Sequence, residues 1–231
     1  MDVLDRLDEV RAEINVLEHP FYQRWSAGEL GAGELACYAG EYRHAVIALA
    51  RTSASAADSA ADAGASPTAS AHSTGLAHHA QEEQAHVELW EQFERAGAHH
   101  AAGAGTDAQE PEPLAQTRAC VHAWGAGRDL LEQLAVLYAI EAGQPEISRT
   151  KLEGLGAHYG YSQEGPASEY FRVHELRDVE HARQARELIA ELMDEVEDPE
   201  EAAERMVGCA REALRGNWLL LDGVEAASRA A

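Results

Sequence analysis

At 231 residues the chain is long enough for a single domain with a buried core. Its 41 acidic and 18 basic residues leave a net charge of −23, which argues against nucleic acid or an anionic membrane surface as a partner, since both need a positive footprint. Cys37, Cys120 and Cys209 form no CxxC pair, the acidic start lacks the pattern of a signal peptide, and no apolar run matches a membrane span, so a soluble cytoplasmic protein is expected.

In chain order, Val3, Leu7, Val10 and Ile14 mark a first helix. A long second helix is expected from Ser26, as N-cap, through the alanine-rich stretch to residue 57. Gly, Ser and Pro then predict a flexible break near 61–72. A third helix follows from about Ser73 to Gly97, and a flexible loop near 97–113. Further helices are expected over Leu114–Trp124, Gly127–Glu141, Glu146–His158, Ser168–Val196 and Pro199–Leu221. The 127–141 segment is apolar on nearly every face and so belongs at the centre. The chain reads as all-α, a single-domain helical bundle of about seven helices over 1–231, an architecture that builds metal and cofactor sites from side chains on facing helices.

Three stretches carry candidate metal chemistry. In "VHELRDVEH", His174, Asp178 and His181 stand at i, i+4 and i+7, which aims all three from one side of a helix. Two imidazoles and a carboxylate suit iron, manganese or zinc. In "AQEEQAHVELW", either Glu82 or Glu83 can join His86 on one face, and His79 lies seven residues before His86. Glu-x-x-His pairs of this kind serve ferritin-like di-iron proteins. Glu141 ends an apolar helix, where a carboxylate is costly unless paired, protonated or metal-bound. Each stretch also has a plainer reading as a solvated helix face or helix end. Together they supply carboxylates and imidazoles from three helices, the inventory of a dinuclear carboxylate site. No HExxH, GxSxG or phosphate-binding loop competes with it.

Lys151 is the single lysine of the chain; every other Lys/Arg position is arginine. An amine can shed its proton when buried and act as a nitrogen nucleophile, whereas a guanidinium stays charged.

"LEHPFYQRWSAGEL", "EEQAHVELW", "YAIEAGQPEISRTKLEGL" and "HELRDVEHARQ", in this order and spacing, resemble the CADD-like 4-aminobenzoate synthases from about Leu4 to Leu221. These are haem-oxygenase-fold dimetal oxidases related to the PqqC and TenA proteins. The resemblance implies a haem-oxygenase-like fold, a homodimer and two metal ions, Fe/Fe or Fe/Mn, with dioxygen and an external reductant as co-substrates. By position it implies Glu82, His86, Glu141, His174, Asp178 and His181 as ligands, with Glu83 and His79 as alternatives to Glu82. It implies that Tyr22 is consumed as the source of the 4-aminobenzoate ring, a folate precursor, and that Lys151 donates the amino nitrogen. Tyr170 matches a family tyrosine near the metals, while Ile140 stands where the family has another. Two other readings remain open: a dimetal oxidase acting on a diffusible amino acid, amine or fatty acid, and a metal-free helical protein binding a thiamin- or quinone-like ligand or a partner.

Overall fold

The computed structural model describes residues 2–62, 64, 66–101 and 112–230. The helices are α1 (Val3–Glu13), α2 (Pro20–Ala27), α3 (Ala32–Asp62), α4 (Pro67–Ala101), α5 (Ala115–Trp124), α6 (Leu130–Glu141), α7 (Gln144–His158), α8 (Glu169–Met193) and α9 (Pro199–Ala230). Short 3-10 turns lie at Val16–Glu18 and Pro166–Ser168, and no strand occurs among the described residues. No described helix is long and apolar enough to cross a membrane.

The expected helix from Ser26 is instead two helices. His19 caps α2, its ring nitrogen accepting from the Phe21 N–H, and Pro20 fills the first helical position, where no N–H is needed. Gly28 then ends α2 in the left-handed region at φ 72°, which only glycine adopts without strain. A β-carbon there would also lie 2.6 Å from the His158 ring. Ser26 is thus an ordinary residue of the last turn of α2. The break near 61–72 is shorter than its composition predicts, because α3 runs to Asp62 and Pro67 opens α4. Helix α4 also takes in residues 98–101 of the expected 97–113 loop; residues 102–111 of that expectation lie outside the described residues. Helix α9 continues past Leu221 to Ala230, burying Val224 and Glu225.

Helix α6 is central as its all-round apolarity requires: each position from Glu132 to Glu141 is buried, against α3, α8 and α9. Asp129 caps it by accepting from the Glu132 N–H. Helices α4 and α8 pack antiparallel, since His79 meets His181 at one end and Trp90 meets Tyr170 at the other. Along α8, Tyr170 and Phe171 enter an aromatic core, while Ala185 and Leu188 enter an aliphatic one. The polar residues between these two cores are the expected ligands.

Helix α7 closes on α2 at a glycine. A β-carbon on Gly154 would fall 2.5 Å from the Trp25 indole, whose Nε1–H donates to the Lys151 carbonyl at 3.2 Å. Gly154→Ala gains about 1 kcal/mol of helix propensity. We expect a net loss of about 1–3 kcal/mol by urea denaturation, because a buried indole must move. A Gly154→Ala protein as stable as the parent would show that α7 has room to shift.

Candidate metal centre and the adjoining lysine chamber

Seven buried side chains converge where α4, α6 and α8 meet: His79, Glu83 and His86 from α4, Glu141 from α6, and His174, Asp178 and His181 from α8. Their donor atoms form two groups, one of His79, Glu83, Glu141 and His181, the other of Glu83, His86 and His174. Within each group the atoms lie within 4.8 Å of one another. Glu83 belongs to both groups, as a bridging carboxylate must. Asp178 stands beside them: its Oδ2 accepts from His174 Nδ1 at 2.8 Å, and its Oδ1 lies 3.5 Å from His181 Nδ1.

Of the residues expected from the sequence, His86, Glu141, His174, Asp178 and His181 are brought together. Glu82 is not among them. It sits at the rim, 18% exposed, paired with Arg177, and its Oε2 lies 3.2 Å from His181 Nε2. That contact turns the opposite nitrogen of His181 inward, which is the position of an outer partner orienting a ligand. Glu83, one residue on, points into the cluster and is 1% exposed. His79 joins it with Nε2 3.0 Å from Glu141 Oε1. The signal for both was in the sequence: His79, Glu83 and His86 repeat the i, i+4, i+7 spacing of His174, Asp178 and His181.

The polar atoms of the cluster test whether a metal pair fits. Glu83 Oε2, both Glu141 oxygens, Asp178 Oδ1, His174 Nε2, His181 Nδ1 and His79 Nε2 are buried without a well-formed hydrogen bond. So many orphaned donor atoms in one place are costly in an apolar interior. Three carboxylates and four imidazoles around two divalent cations would satisfy them and nearly balance the charge. The nitrogen and oxygen set suits iron or manganese. In the protein alone, burial opposes charge on His79, but Glu141 and Glu83 outweigh it and lift its pKa to about 9. Burial holds the Glu141 carboxyl above its ordinary range, with His79 acting in the opposite direction.

Next to this cluster lies a buried aromatic chamber around Lys151. The lysine is fully buried, and its Nζ has no hydrogen-bond partner. The Nζ stands 4.8 Å from the ring centre of Tyr42, 5.2 Å from Phe171, 5.3 Å from Tyr38, 5.4 Å from Tyr22 and 5.7 Å from Trp90. Burial pulls the Lys151 pKa down to about 7, while the surrounding ring faces attract its charged form. The Tyr22 and Tyr38 hydroxyls are 3.2 Å apart. Tyr170 joins chamber to cluster: its ring lies 4.1 Å from His174 and 4.8 Å from Trp90, centre to centre. The sequence did not single out Tyr38, Tyr42, Trp90 or Phe171, whose apolar spacing matches ordinary core.

The chain matches a family of iron-containing redox enzymes over residues 76–217. The 4-aminobenzoate synthase of Chlamydia muridarum is 33% identical over 96% of this chain and 89% of its own length. That of Nitrosomonas europaea is 29% identical over 95% of this chain and 89% of its own. Among solved structures, a TenA homologue from Pseudomonas syringae superimposes with a TM-score of 0.79 at 17% identity, over 97% of this chain and 91% of that one. A protein of haem-oxygenase-like fold from Shewanella denitrificans gives 0.73, also at 17% identity, over 99% and 94%. The fold is therefore haem-oxygenase-like, and the chain belongs to the iron-containing redox enzyme family.

Proposed function

We propose that the protein is an oxygen-dependent dimetal oxidase that forms 4-aminobenzoate from its own Tyr22, with nitrogen from Lys151. The observation that carries this reading is the pairing of Tyr22 of α2 and Lys151 of α7 in one aromatic chamber: an unpartnered lysine amine 5.4 Å from the Tyr22 ring. Two relatives that share most of the chain's length are 4-aminobenzoate synthases.

His79, Glu83, His86, Glu141, His174, Asp178 and His181 would hold the metal pair, Glu83 being shared by both groups of donor atoms, and Glu82 would orient His181. An Fe/Fe or Fe/Mn pair supplies dioxygen reduction when a reductant provides electrons. The chain's own residues do the rest. Tyr22 is held by its backbone, so covalent attachment replaces substrate binding. Lys151, with its pKa near neutrality, offers an uncharged amine at physiological pH. The aromatic walls exclude bulk water from the reacting groups, and Tyr170 spans the gap between cluster and chamber. Each chain reacts once, because the side chains it uses are not restored.

The test is purified protein supplied with iron, with or without manganese, a reductant and dioxygen, and no added substrate. We expect 4-aminobenzoate, and by peptide mass spectrometry a loss at Tyr22 and an altered Lys151. Tyr22→Phe and Lys151→Arg should each abolish the product. Continued synthesis by either variant would refute the self-consuming reaction and favour a diffusible substrate. A cavity of about 320 Å³ reaching His79 and His181 from the surface would be its entrance.

A further inference from the structure

Helix α7 carries more buried polar groups than its packing uses. Gln144, Ser148 and Lys151 stand at i, i+4 and i+7, so they share one face, and all three are buried. Gln144 Oε1, Ser148 Oγ and Lys151 Nζ have no hydrogen-bond partner in the protein. The Gln144 amide donates to the Tyr42 hydroxyl at 3.3 Å. Asn217 of α9 approaches the same hydroxyl and acts to lower its pKa, and its own Oδ1 is buried and unpartnered. Asn217 also lines a cavity of about 220 Å³, with Gly143 and Ile147, between α1, α6, α7 and α9. A row of orphaned polar atoms thus runs from that cavity to the lysine amine.

A single orphan of this kind costs about 1–3 kcal/mol. Four in one row, with a tyrosine hydroxyl among them, form the setting in which ordered water is held: a polar site that offers each molecule two to four partners. We propose that buried waters, entering from the cavity at Asn217, occupy a passage along Tyr42, Gln144 and Ser148 and exchange protons between solvent and the Lys151 amine. One proton leaves the ammonium for the nearest water, and one is released to solvent at the cavity. The net change is the loss of one proton from Lys151, and no oxidant is involved. The passage stands on these contacts alone. Its use, readying the amine as nitrogen donor, rests on the proposed function.

The single lysine makes the passage directly measurable, because isotope-labelled lysine yields one side-chain amine signal. Metal-free protein is used, below the folded-state pKa of the amine, and exchange of the Nζ hydrogens with solvent is followed by NMR. The Trp124 indole N–H, buried and donating to the Ala213 carbonyl at 3.0 Å, serves as the internal reference for exchange that needs unfolding. In the parent protein, Nζ exchange should be unaffected by sub-denaturing urea while Trp124 exchange accelerates. Asn217→Leu, close to isosteric, should slow Nζ exchange at least about tenfold without changing Trp124 exchange. If Nζ exchange in the parent rises with urea in step with Trp124, the passage does not exist, and that measurement decides the matter even if Asn217→Leu fails to fold. An unslowed Asn217→Leu protein would likewise overturn the route. Because no metal or product enters the measurement, its result is separate from any failure of 4-aminobenzoate synthesis.

Discussion

Glu83→Gln is expected to lose metal at both positions, with affinity falling by about a thousandfold. Glu82→Gln should keep the metal pair with a loss of only about 10–100-fold. The reason is placement. Glu83 contributes a donor atom to both groups of the cluster and is buried, so removing its charge would leave the imidazoles, and any cations they hold, without a shared anion. Breaking one partner out of a buried charge cluster costs about 4 kcal/mol, which is the thousandfold. Glu82 instead lies at the rim with Arg177 and acts through His181. Elemental analysis after dialysis, with calorimetric titration of iron and manganese, reads the difference. Should Glu82→Gln lose the metals and Glu83→Gln retain them, Glu82 is the ligand and the role given to Glu83 is wrong.

Replacing Lys151 by Met should stabilise the metal-free protein at neutral pH while abolishing product. Burial lowers the amine's pKa from the ordinary 10.5 to about 7, a displacement equivalent to about 5 kcal/mol. The sign follows from proton binding. Below pH 7 the folded and unfolded lysines are both protonated, and the full penalty of the buried cation is present. Between pH 7 and 10.5 the unfolded chain binds a proton that the folded one does not, so the parent gains stability as pH rises. Above 10.5 both forms are neutral and the penalty is gone. The advantage of Lys151→Met should therefore be several kcal/mol at and below pH 7 and shrink steadily toward pH 10.5. Urea denaturation of both proteins across that range measures it. A difference that does not vary with pH would mean that the folded lysine titrates as in an unfolded chain. A stability cost at this one position is what a site kept for its chemistry carries.

The helical class, the central position of the 127–141 segment that contains α6, and the shared His174, Asp178 and His181 face of α8 were legible in the sequence, because periodicity and polarity along a helix are local properties. Helix α2 was not recognised as separate. Its limits depend on an imidazole cap at His19 and on a left-handed Gly28 held against His158, and neither shows in an apolar pattern. The choice between Glu82 and Glu83 was also beyond local reading. Adjacent residues on a helix point about 100° apart, and only the packing of α4 on α8 decides which of them looks inward.

Alone, then, the sequence determined an all-helical chain with one lysine, three helices bearing candidate ligands with the choice among Glu82, Glu83 and His79 left open, and a resemblance that assigned roles to Tyr22 and Lys151. The tertiary structure decided that Glu83 and His79, rather than Glu82, complete the cluster. It also placed Tyr22 of α2 and Lys151 of α7 in one aromatic chamber, joined to that cluster by Tyr170. Helical spacing specifies which side chains share a face; which faces meet is set by how the helices bury their apolar stripes against one another, a property of the whole chain.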